Sequence, residues 1–395
     1  MDSQQVRIER LVAGGDALGR LSDGRVVFVP GALPDEVVDI QITHTKADFA
    51  RAKLLQIVTE SPHRIAPPCE HVERGCGGCS WQHLASAAQV TAKVEIVREA
   101  LRRNGKITDI EVIAGGRVAD RGARTTLRMA VDSTGRLGFR RGSSHEVVDT
   151  PVCMVAYPLL NELIIGLRAR NADEVTLRCG AMTRERGVWV HDKDGRGTLS
   201  GLSSDVGVGH EALVHEVVSG VKLQVSMSSF FQASLEGAEM LVNTVRGAAG
   251  EHALSGGDGP VIDAYGGVGL FSAALVSRST PIVLVESNNS ACADARENLA
   301  GYNAKVVRGS VEQWRAEPAG IVIADPSRSG LGAAGVARLV QTEAPRIVLV
   351  SCDAVAGARD TRLLRDAGYS CTQATVLDLF PHTPHVEVVS TFTFR

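Results

Sequence analysis

The chain has 395 residues, of which 44% are hydrophobic and 22% charged, and its formal net charge is −3. This length predicts two or three domains, and the composition is that of a soluble globular protein. The slightly negative charge does not indicate a general nucleic-acid binder, and no apolar run is long enough to span a bilayer. We therefore expect a cytoplasmic monomer without membrane contact.

Residues 1–60 predict a small antiparallel barrel. Apolar and polar residues alternate, as in Val26–Val29, and glycines such as Gly14, Gly15 and Gly24 interrupt the pattern. The segment holds seven basic and nine acidic residues. Strong nonspecific RNA binding by this segment alone is therefore not expected.

A cysteine-rich segment follows a proline-marked linker. Three of its cysteines lie close together in sequence and a fourth is remote, namely Cys69, Cys76, Cys79 and Cys153. This spacing favours an iron–sulfur cluster, with zinc as the competing interpretation because zinc more often uses two short cysteine pairs. Since no secretion signal precedes them, a disulfide framework is not expected. An amphipathic helix is predicted from about Leu84 to Arg103.

The middle of the chain, to about Gly220, predicts mostly strands, with one helix near Pro158–Ala169. Positions 117–141 contain seven arginines and two aspartates, which gives this segment a formal net charge of +5. The simpler interpretation is a solvated hairpin face, but arginine without lysine favours phosphate contacts. The arginines predicted to make such contacts are Arg124, Arg128, Arg140 and Arg141.

From residue 261 onward the pattern predicts a doubly wound, mostly parallel sheet. Short apolar runs alternate with helical stretches such as Asn288–Leu299. The predicted strands are Val261–Ala264, Ile282–Glu286, Val306–Val307, Ile321–Ala324, Ile347–Val350 and a late, antiparallel Val386–Phe394.

A glycine turn after the first of these strands predicts a nucleotide site. Gly267 and Gly269 allow close approach of the backbone, and Glu286 at the end of the next strand can hold ribose hydroxyls. Because Ser272 stands where a dinucleotide fingerprint has its third glycine, S-adenosylmethionine is favoured over a nicotinamide. The alternative for Glu286 is a solvated helix cap.

Two further residues suggest covalent chemistry at the same sheet edge. Cys352 lies two residues after the end of the predicted strand Ile347–Val350, and Glu387 lies beside the last apolar run of the chain. Each alone is compatible with a packing role, as a small core residue or a solvated carboxylate. Together with the glycine turn they predict a nucleophile and a base.

These motifs, in this order, resemble the RNA uracil-5-methyltransferases over essentially the whole chain. The motifs that carry the resemblance are the four cysteines, Asp263–Gly269, Asp325-Pro326-Ser327-Arg328, Ser351-Cys352-Asp353 and His385-Val386-Glu387. The resemblance implies an RNA-binding TRAM barrel at 1–60. It also implies a central iron–sulfur and RNA-binding domain at 61–83 and 113–226, and a methyltransferase domain at 84–112 and 227–395.

The resemblance also implies the roles of single residues. Cys352 would attack uracil C6, and Glu387 would be the general base. Gln232, Tyr265, Gly267, Glu286 and Asp325 would line the pocket for S-adenosylmethionine and the target base. Cys69, Cys76, Cys79 and Cys153 would hold a 4Fe–4S cluster.

The implied substrate is RNA, with ribosomal RNA favoured over transfer RNA. A noncatalytic iron–sulfur RNA-binding protein is the alternative from another class. The chain departs from the family pattern at Ser234, Gly266, Ser327 and Ala354.

Overall fold

The computed structural model describes residues 3–142, 144–192 and 194–394. Its first strands form a closed barrel in the order β1-β2-β3-β5-β4. Every second side chain of these strands points inward, as the buried Val27, Val29, Val38 and Ile40 illustrate. The barrel strands are β1 (Gln4–Leu11), β2 (Ala17–Arg20), β3 (Val26–Val29), β4 (Val37–Thr45) and β5 (Phe49–Thr59). The predicted barrel is confirmed, but it is not wholly antiparallel as predicted, because β3 and β5 pair in parallel.

Two helices and one strand lead away from the barrel: α1 (Glu70–Glu73), α2 (Ser86–Ala100) and β6 (Glu111–Arg117), with a π-helical turn at Leu101–Gly105 between α2 and β6. The predicted helix from about Leu84 to Arg103 thus corresponds to α2 and part of the π-helical turn. Trp81 is buried and its indole Nε1 donates a hydrogen bond of 3.1 Å to the Gly15 carbonyl in the barrel. This contact ties the cysteine-rich segment to the barrel.

The middle of the chain is mostly β-structure, as predicted. A six-stranded sheet has the order β14-β12-β11-β7-β8-β9, and β10 pairs with β13. The elements are β7 (Thr126–Val131), β8 (Leu137–Arg140), β9 (Val147–Asp149), α3 (Pro158–Gly166), β10 (Arg168–Arg170), β11 (Glu174–Cys179), β12 (Arg186–His191), β13 (Thr198–Ser200) and β14 (Val206–Val208). Helix α3 ends three residues before Ala169, because Ala169 pairs with Leu199 in β13.

The rest of the chain forms a hairpin and a nine-stranded sheet. The order in the large sheet is β19-β18-β17-β20-β21-β24-β23-β6, and β22 pairs with β24. The elements are β15 (Leu213–Val218), β16 (Val221–Ser226), α4 (Leu235–Ala249), α5 (Glu251–Leu254), β17 (Val261–Ala264), α6 (Leu270–Leu275), β18 (Ile282–Glu286), α7 (Asn289–Asn298), β19 (Ala304–Arg308), β20 (Ile321–Ala324), α8 (Gly332–Val340), β21 (Arg346–Ser351), α9 (Ala354–Asp366), β22 (Tyr369–Ser370), β23 (Gln373–Asp378) and β24 (Glu387–Phe394).

The large sheet confirms the predicted doubly wound fold. Strands β17 to β21 run parallel, and β24 is antiparallel to β21. The central strands β17 and β20 are buried along their whole length, as expected for a parallel sheet covered on both faces. Strand β6 pairs with β23 and so completes this sheet from an upstream segment, although the proposed domain boundary at 112/113 falls inside it.

Among the described residues, no helix combines the length and apolar character that crossing a membrane requires.

Candidate active site at the sheet edge

Five predicted site residues lie at one edge of the large sheet. Tyr265 follows β17, Glu286 ends β18, Asp325 follows β20 and Cys352 follows β21. The carboxyl ends of parallel strands share one edge, where open α/β sheets bind their ligands. Glu387 reaches the same edge from the opposite direction, because it begins the antiparallel strand β24.

Cys352 and Glu387 are neighbours across two paired strands. Ser351 pairs with Val388, so the next step of this antiparallel register brings Cys352 opposite Glu387. Burial raises the pKa of the Cys352 thiol to about 11, with further contributions from the charges of Glu387 and Asp325 and opposition from Arg328. The pKa of Glu387 is raised well above its ordinary value, first by burial and then by Asp325. This pair combines a buried carboxyl group with a thiol that needs a positive charge to ionise at neutral pH.

Asp263 and Asp325 add two more carboxyl groups to this edge. Asp263 is 1% exposed, and its Oδ2 accepts hydrogen bonds from the Ser272 backbone N–H at 3.1 Å and the Ser272 hydroxyl at 2.6 Å. Burial raises the pKa of Asp263 to about 7, and burial together with the Asp263 charge raises the pKa of Asp325. In the described part of the chain, Asp263 Oδ1 has no hydrogen-bond partner. An acidic edge of this kind favours a positively charged ligand.

The glycine turn and Glu286 are linked by a direct hydrogen bond. The Gly267 backbone N–H donates to Glu286 Oε2 at 3.0 Å, and the Asn288 N–H donates to Glu286 Oε1 at 2.6 Å. Tyr265 has a φ of 60°, a region that non-glycine residues rarely adopt, and its hydroxyl donates to Glu312 Oε1 at 2.7 Å. The turn is therefore held in shape before any ligand binds, and the ribose role of Glu286 stays a prediction.

Gln232 lies between β16 and α4 and is 7% exposed. Its neighbour Ala233 accepts a hydrogen bond from the Thr125 N–H at 2.8 Å, which ties this segment to the central region. Within residues 3–142, 144–192 and 194–394, no hydrogen bond joins the Gln232 side chain to the other predicted site residues. Its predicted contact with cofactor or base stays a prediction.

The arginine-rich segment is less basic than its sequence indicates. Five of its arginines form six ion pairs, and five of these pairs involve an acidic residue beyond the segment, namely Glu146, Asp149, Glu174 or Asp378. Arg128 and Arg140 both contact Glu174, at 2.5 and 2.8 Å. Arg124 instead places its guanidinium 5.6 Å from the centre of the Phe380 ring. Among the described residues, Arg121 and Arg124 are the members of the segment without an ion pair.

The four predicted metal-binding cysteines surround one cavity. Cys69, Cys76, Cys79 and Cys153 all line it, together with Arg124 and other residues. Burial is the largest cause that raises the pKa of the Cys76, Cys79 and Cys153 thiols, the last to about 11. Over the described ranges, no three His, Cys, Asp or Glu side chains converge closely enough to hold a metal ion. The fold gathers the thiols, and the group that they bind stays a prediction.

Comparisons with known proteins agree with this geometry. The TRAM domain family matches residues 2–55. The chain is 31% identical over 420 residues to the 23S rRNA (uracil(1939)-C(5))-methyltransferase RlmD of Pectobacterium atrosepticum, covering 94% of this chain and 89% of the relative. The chain belongs to the RNA uracil-5-methyltransferase family. Family membership confirms the predicted resemblance.

Other members extend the match over the whole chain. An uncharacterized RNA methyltransferase of Streptomyces avermitilis is 32% identical, with 98% of both chains covered. The crystal structure of the Pyrococcus abyssi tRNA (uracil-54, C5)-methyltransferase with S-adenosyl-L-homocysteine has a TM-score of 0.74 and 26% identity, covering 98% of this chain and 99% of that chain. The two matches cover nearly all of the described chain, and the Pyrococcus abyssi relative was crystallised in complex with S-adenosyl-L-homocysteine.

Asp360 holds a loop next to the site, a role that the sequence does not reveal. It is fully buried on α9, and its carboxylate accepts hydrogen bonds from the Leu331 N–H at 2.6 Å and the Gly332 N–H at 3.1 Å. Arg359 next to it donates to the Ser329 carbonyl at 2.6 Å. The two residues therefore anchor the loop that carries Asp325 and Arg328 to the helix that follows Cys352. The only sequence signal is that Asp360 lies eight residues after Cys352.

Proposed function

We propose that the protein transfers a methyl group from S-adenosylmethionine to C5 of a uridine in RNA. Membership of the RNA uracil-5-methyltransferase family supports the reaction class. The observation that carries the proposal is the pairing of β21 with β24, which brings Cys352 opposite Glu387. A methyltransferase that acts on a nitrogen atom needs no nucleophile of this kind.

Uracil C5 is too weak a nucleophile to take a methyl group directly, so the ring must first be activated. Cys352 adds to C6, which makes C5 an enolate carbon. S-adenosylmethionine, when bound, would supply the electrophilic methyl group, with its sulfur–methyl bond breaking to leave S-adenosylhomocysteine. Glu387 then removes the C5 proton, and the bond between Cys352 and C6 breaks to release the product.

The charges at this edge of the sheet favour an order in which the cofactor binds before Cys352 attacks the uracil. A thiol with a pKa of about 11 is ionised to only about one part in ten thousand at neutral pH. A sulfonium near Asp325 and Cys352 lowers that pKa, because an opposite charge favours the thiolate. The same positive charge offsets the cost of ionising the buried Asp263 and Asp325. We therefore infer that Cys352 becomes reactive once the cofactor is bound.

Ribosomal RNA is the proposed substrate, with transfer RNA as the second candidate. The relative from Pectobacterium atrosepticum is named for 23S rRNA, whereas the Pyrococcus abyssi relative is named for tRNA. The sequence identity is higher with the first. Mass-spectrometric mapping of 5-methyluridine in both RNA classes from a deletion strain distinguishes the two.

We also propose that Cys69, Cys76, Cys79 and Cys153 hold a 4Fe–4S cluster with a structural role. Four thiols around one cavity suit the ligand set of such a cluster. Zinc is the competing occupant. Loss of the cluster would remove the link to Cys153 and leave backbone contacts, such as the Gly77 N–H to the Arg140 carbonyl at 3.0 Å, to join the cysteine-rich segment to the central sheet. Anaerobic purification followed by iron, sulfide and zinc analysis decides between the two metals.

The reaction is tested with RNA that carries tritium at uridine C5. The wild-type enzyme is expected to release tritium in step with methyl transfer, because the C5 hydrogen is replaced. Methyl transfer without tritium release would move the reaction to another atom and contradict the proposal. A Cys352→Ala variant is expected to do neither, and the exposed Val355→Ala variant on the following helix serves as its control.

A further inference from the structure

Helix α2 carries two fully buried polar side chains on one face. Gln89 and Lys93 are both 0% exposed, and residues four positions apart lie on the same side of a helix. A buried ammonium group is unfavourable unless it is paired and hydrogen-bonded. These two side chains therefore need specific partners. Gln89 Nε2 donates to the nearby Leu84 carbonyl at 2.7 Å, whereas Gln89 Oε1 and the Lys93 ammonium group find their partners far along the chain, at residues 378–382.

Residues 378–382 comprise the last residue of β23 and the start of the connection between β23 and β24, which spans residues 379–386. The Lys93 Nζ donates to Asp378 Oδ1 at 2.5 Å and to the Phe380 carbonyl at 3.0 Å. Gln89 Oε1 accepts from the His382 N–H at 2.7 Å. His382 has a φ of 64°, so its backbone is held in an unfavourable region by these contacts.

The connection ends at Glu387. Asp378 is the last residue of β23, Glu387 is the first residue of β24, and Leu377 pairs with Glu387. Among the described residues, no hydrogen bond holds the Glu387 carboxyl group. Its orientation therefore depends on the backbone on either side of it: the pairing with Leu377 holds β24, and Lys93 holds the start of the connection that leads to Glu387.

We propose that Lys93 is a positioning residue for Glu387. Its hydrogen bonds to Asp378 and the Phe380 carbonyl fix the start of the connection that holds the Glu387 carboxyl group beside Cys352. This inference rests on the proposed role of Glu387 as the base. The hydrogen bonds of the Lys93 side chain go to Asp378 and the Phe380 carbonyl, not to Cys352 or Glu387. It acts through the segment between β23 and β24, and so its loss slows the step that Glu387 performs.

The test is a Lys93→Met variant incubated with substrate RNA and S-adenosylmethionine. We expect kcat to fall at least about tenfold, because a misplaced base loses part of its contribution, while KM for the cofactor stays within about threefold. The methylated RNA–protein adduct accumulates on a denaturing gel, since addition and methyl transfer precede proton removal. An Arg98→Met variant removes an exposed cation from the same helix and is expected to stay within about twofold of the wild type.

A Lys93→Met/Asp378→Leu variant removes both charges of the pair, so that no buried carboxylate is left without Lys93. Arg117, whose Nε lies 4.0 Å from Asp378 Oδ2, keeps its ion pair with Asp120 in this variant. It is expected to fold and to accumulate the same adduct. Wild-type kcat in either folded variant, or loss of turnover without an adduct, would overturn the proposal. Failure of both variants to fold would assign the pair to stability and overturn it equally.

A parallel Glu387→Gln variant separates this inference from the proposed function. If that variant accumulates the adduct and folded Lys93→Met does not, the Lys93 proposal alone fails. If the Glu387→Gln variant turns over at the wild-type rate without an adduct, the base assignment itself fails.

Discussion

Replacing Asp360 by alanine is expected to release the loop between β20 and α8. The carboxylate is fully buried and accepts from the Leu331 and Gly332 N–H groups at 2.6 and 3.1 Å. Leaving a buried donor unsatisfied costs about 1–3 kcal/mol. Since Gly332 is partly exposed and water can reach its N–H, we expect a local loss of about 3 kcal/mol for the pair. Methyl transfer falls with it, because the same loop carries Asp325 and Arg328.

Hydrogen–deuterium exchange of the peptide at 326–335 measures this loss locally, without assuming that the whole chain unfolds in one step. About 3 kcal/mol corresponds to roughly a hundredfold faster exchange. Asp360→Asn keeps one acceptor oxygen and should lie between alanine and the wild type. Asp366→Ala removes an exposed carboxylate from the same helix and should cost less than about 1 kcal/mol. Equal exchange in the Asp360→Ala and Asp366→Ala variants would refute the anchoring role.

Three further predictions follow from buried or crowded positions. Gly330→Ala should destabilise the same loop, because Gly330 has a φ of +72° and an added Cβ would lie 2.2 Å from Asp360 Oδ2. A thermal melt compares it with Gly309→Ala, the control, where no atom lies within 4 Å of the added Cβ. Asp263 has a folded-state pKa of about 7 against an ordinary 3.8, so wild-type stability falls as pH rises from about 4 through 7. Asp263→Asn should therefore gain about 1–3 kcal/mol relative to the wild type between pH 5 and pH 8, and a pH-independent difference in unfolding free energy would contradict this. Cys153→Ser should abolish bound iron and the brown colour of anaerobic protein, whereas a colourless wild type with one zinc would refute the cluster.

The sequence predicted the fold well because local signals were strong. The strands Val261–Ala264, Ile282–Glu286 and Ile321–Ala324 were predicted with the bounds that the structure has. Their apolar runs are short, fully buried and separated by helical stretches, which is the pattern of a parallel sheet. The sequence also predicted that Cys352 and Glu387 lie at the same edge of the sheet, because each adjoins the end of a predicted strand.

The long-range ion pairs around the site could not be predicted from the sequence. Lys93 and Asp378 are 285 positions apart, and nothing in either segment indicates the other. The ion pairs of the arginine-rich segment were hidden for the same reason, since Glu174 on β11 contacts Arg128 on β7 and Arg140 on β8; the predicted phosphate contacts stay a prediction. Long-range pairing of charges depends on the sheet register, which a count of charges along the chain does not contain.

The central claim is a covalent bond between the sulfur of Cys352 and uridine C6. RNA in which the target uridine carries fluorine at C5 tests it directly, because Glu387 has no proton to remove after methyl transfer. We expect a stable RNA–protein adduct in which the peptide containing Cys352 carries the methylated base, as read by mass spectrometry, and no adduct with Cys352→Ser. Undiminished methylation of ordinary RNA by Cys352→Ser, with no adduct in the wild type, would contradict the mechanism.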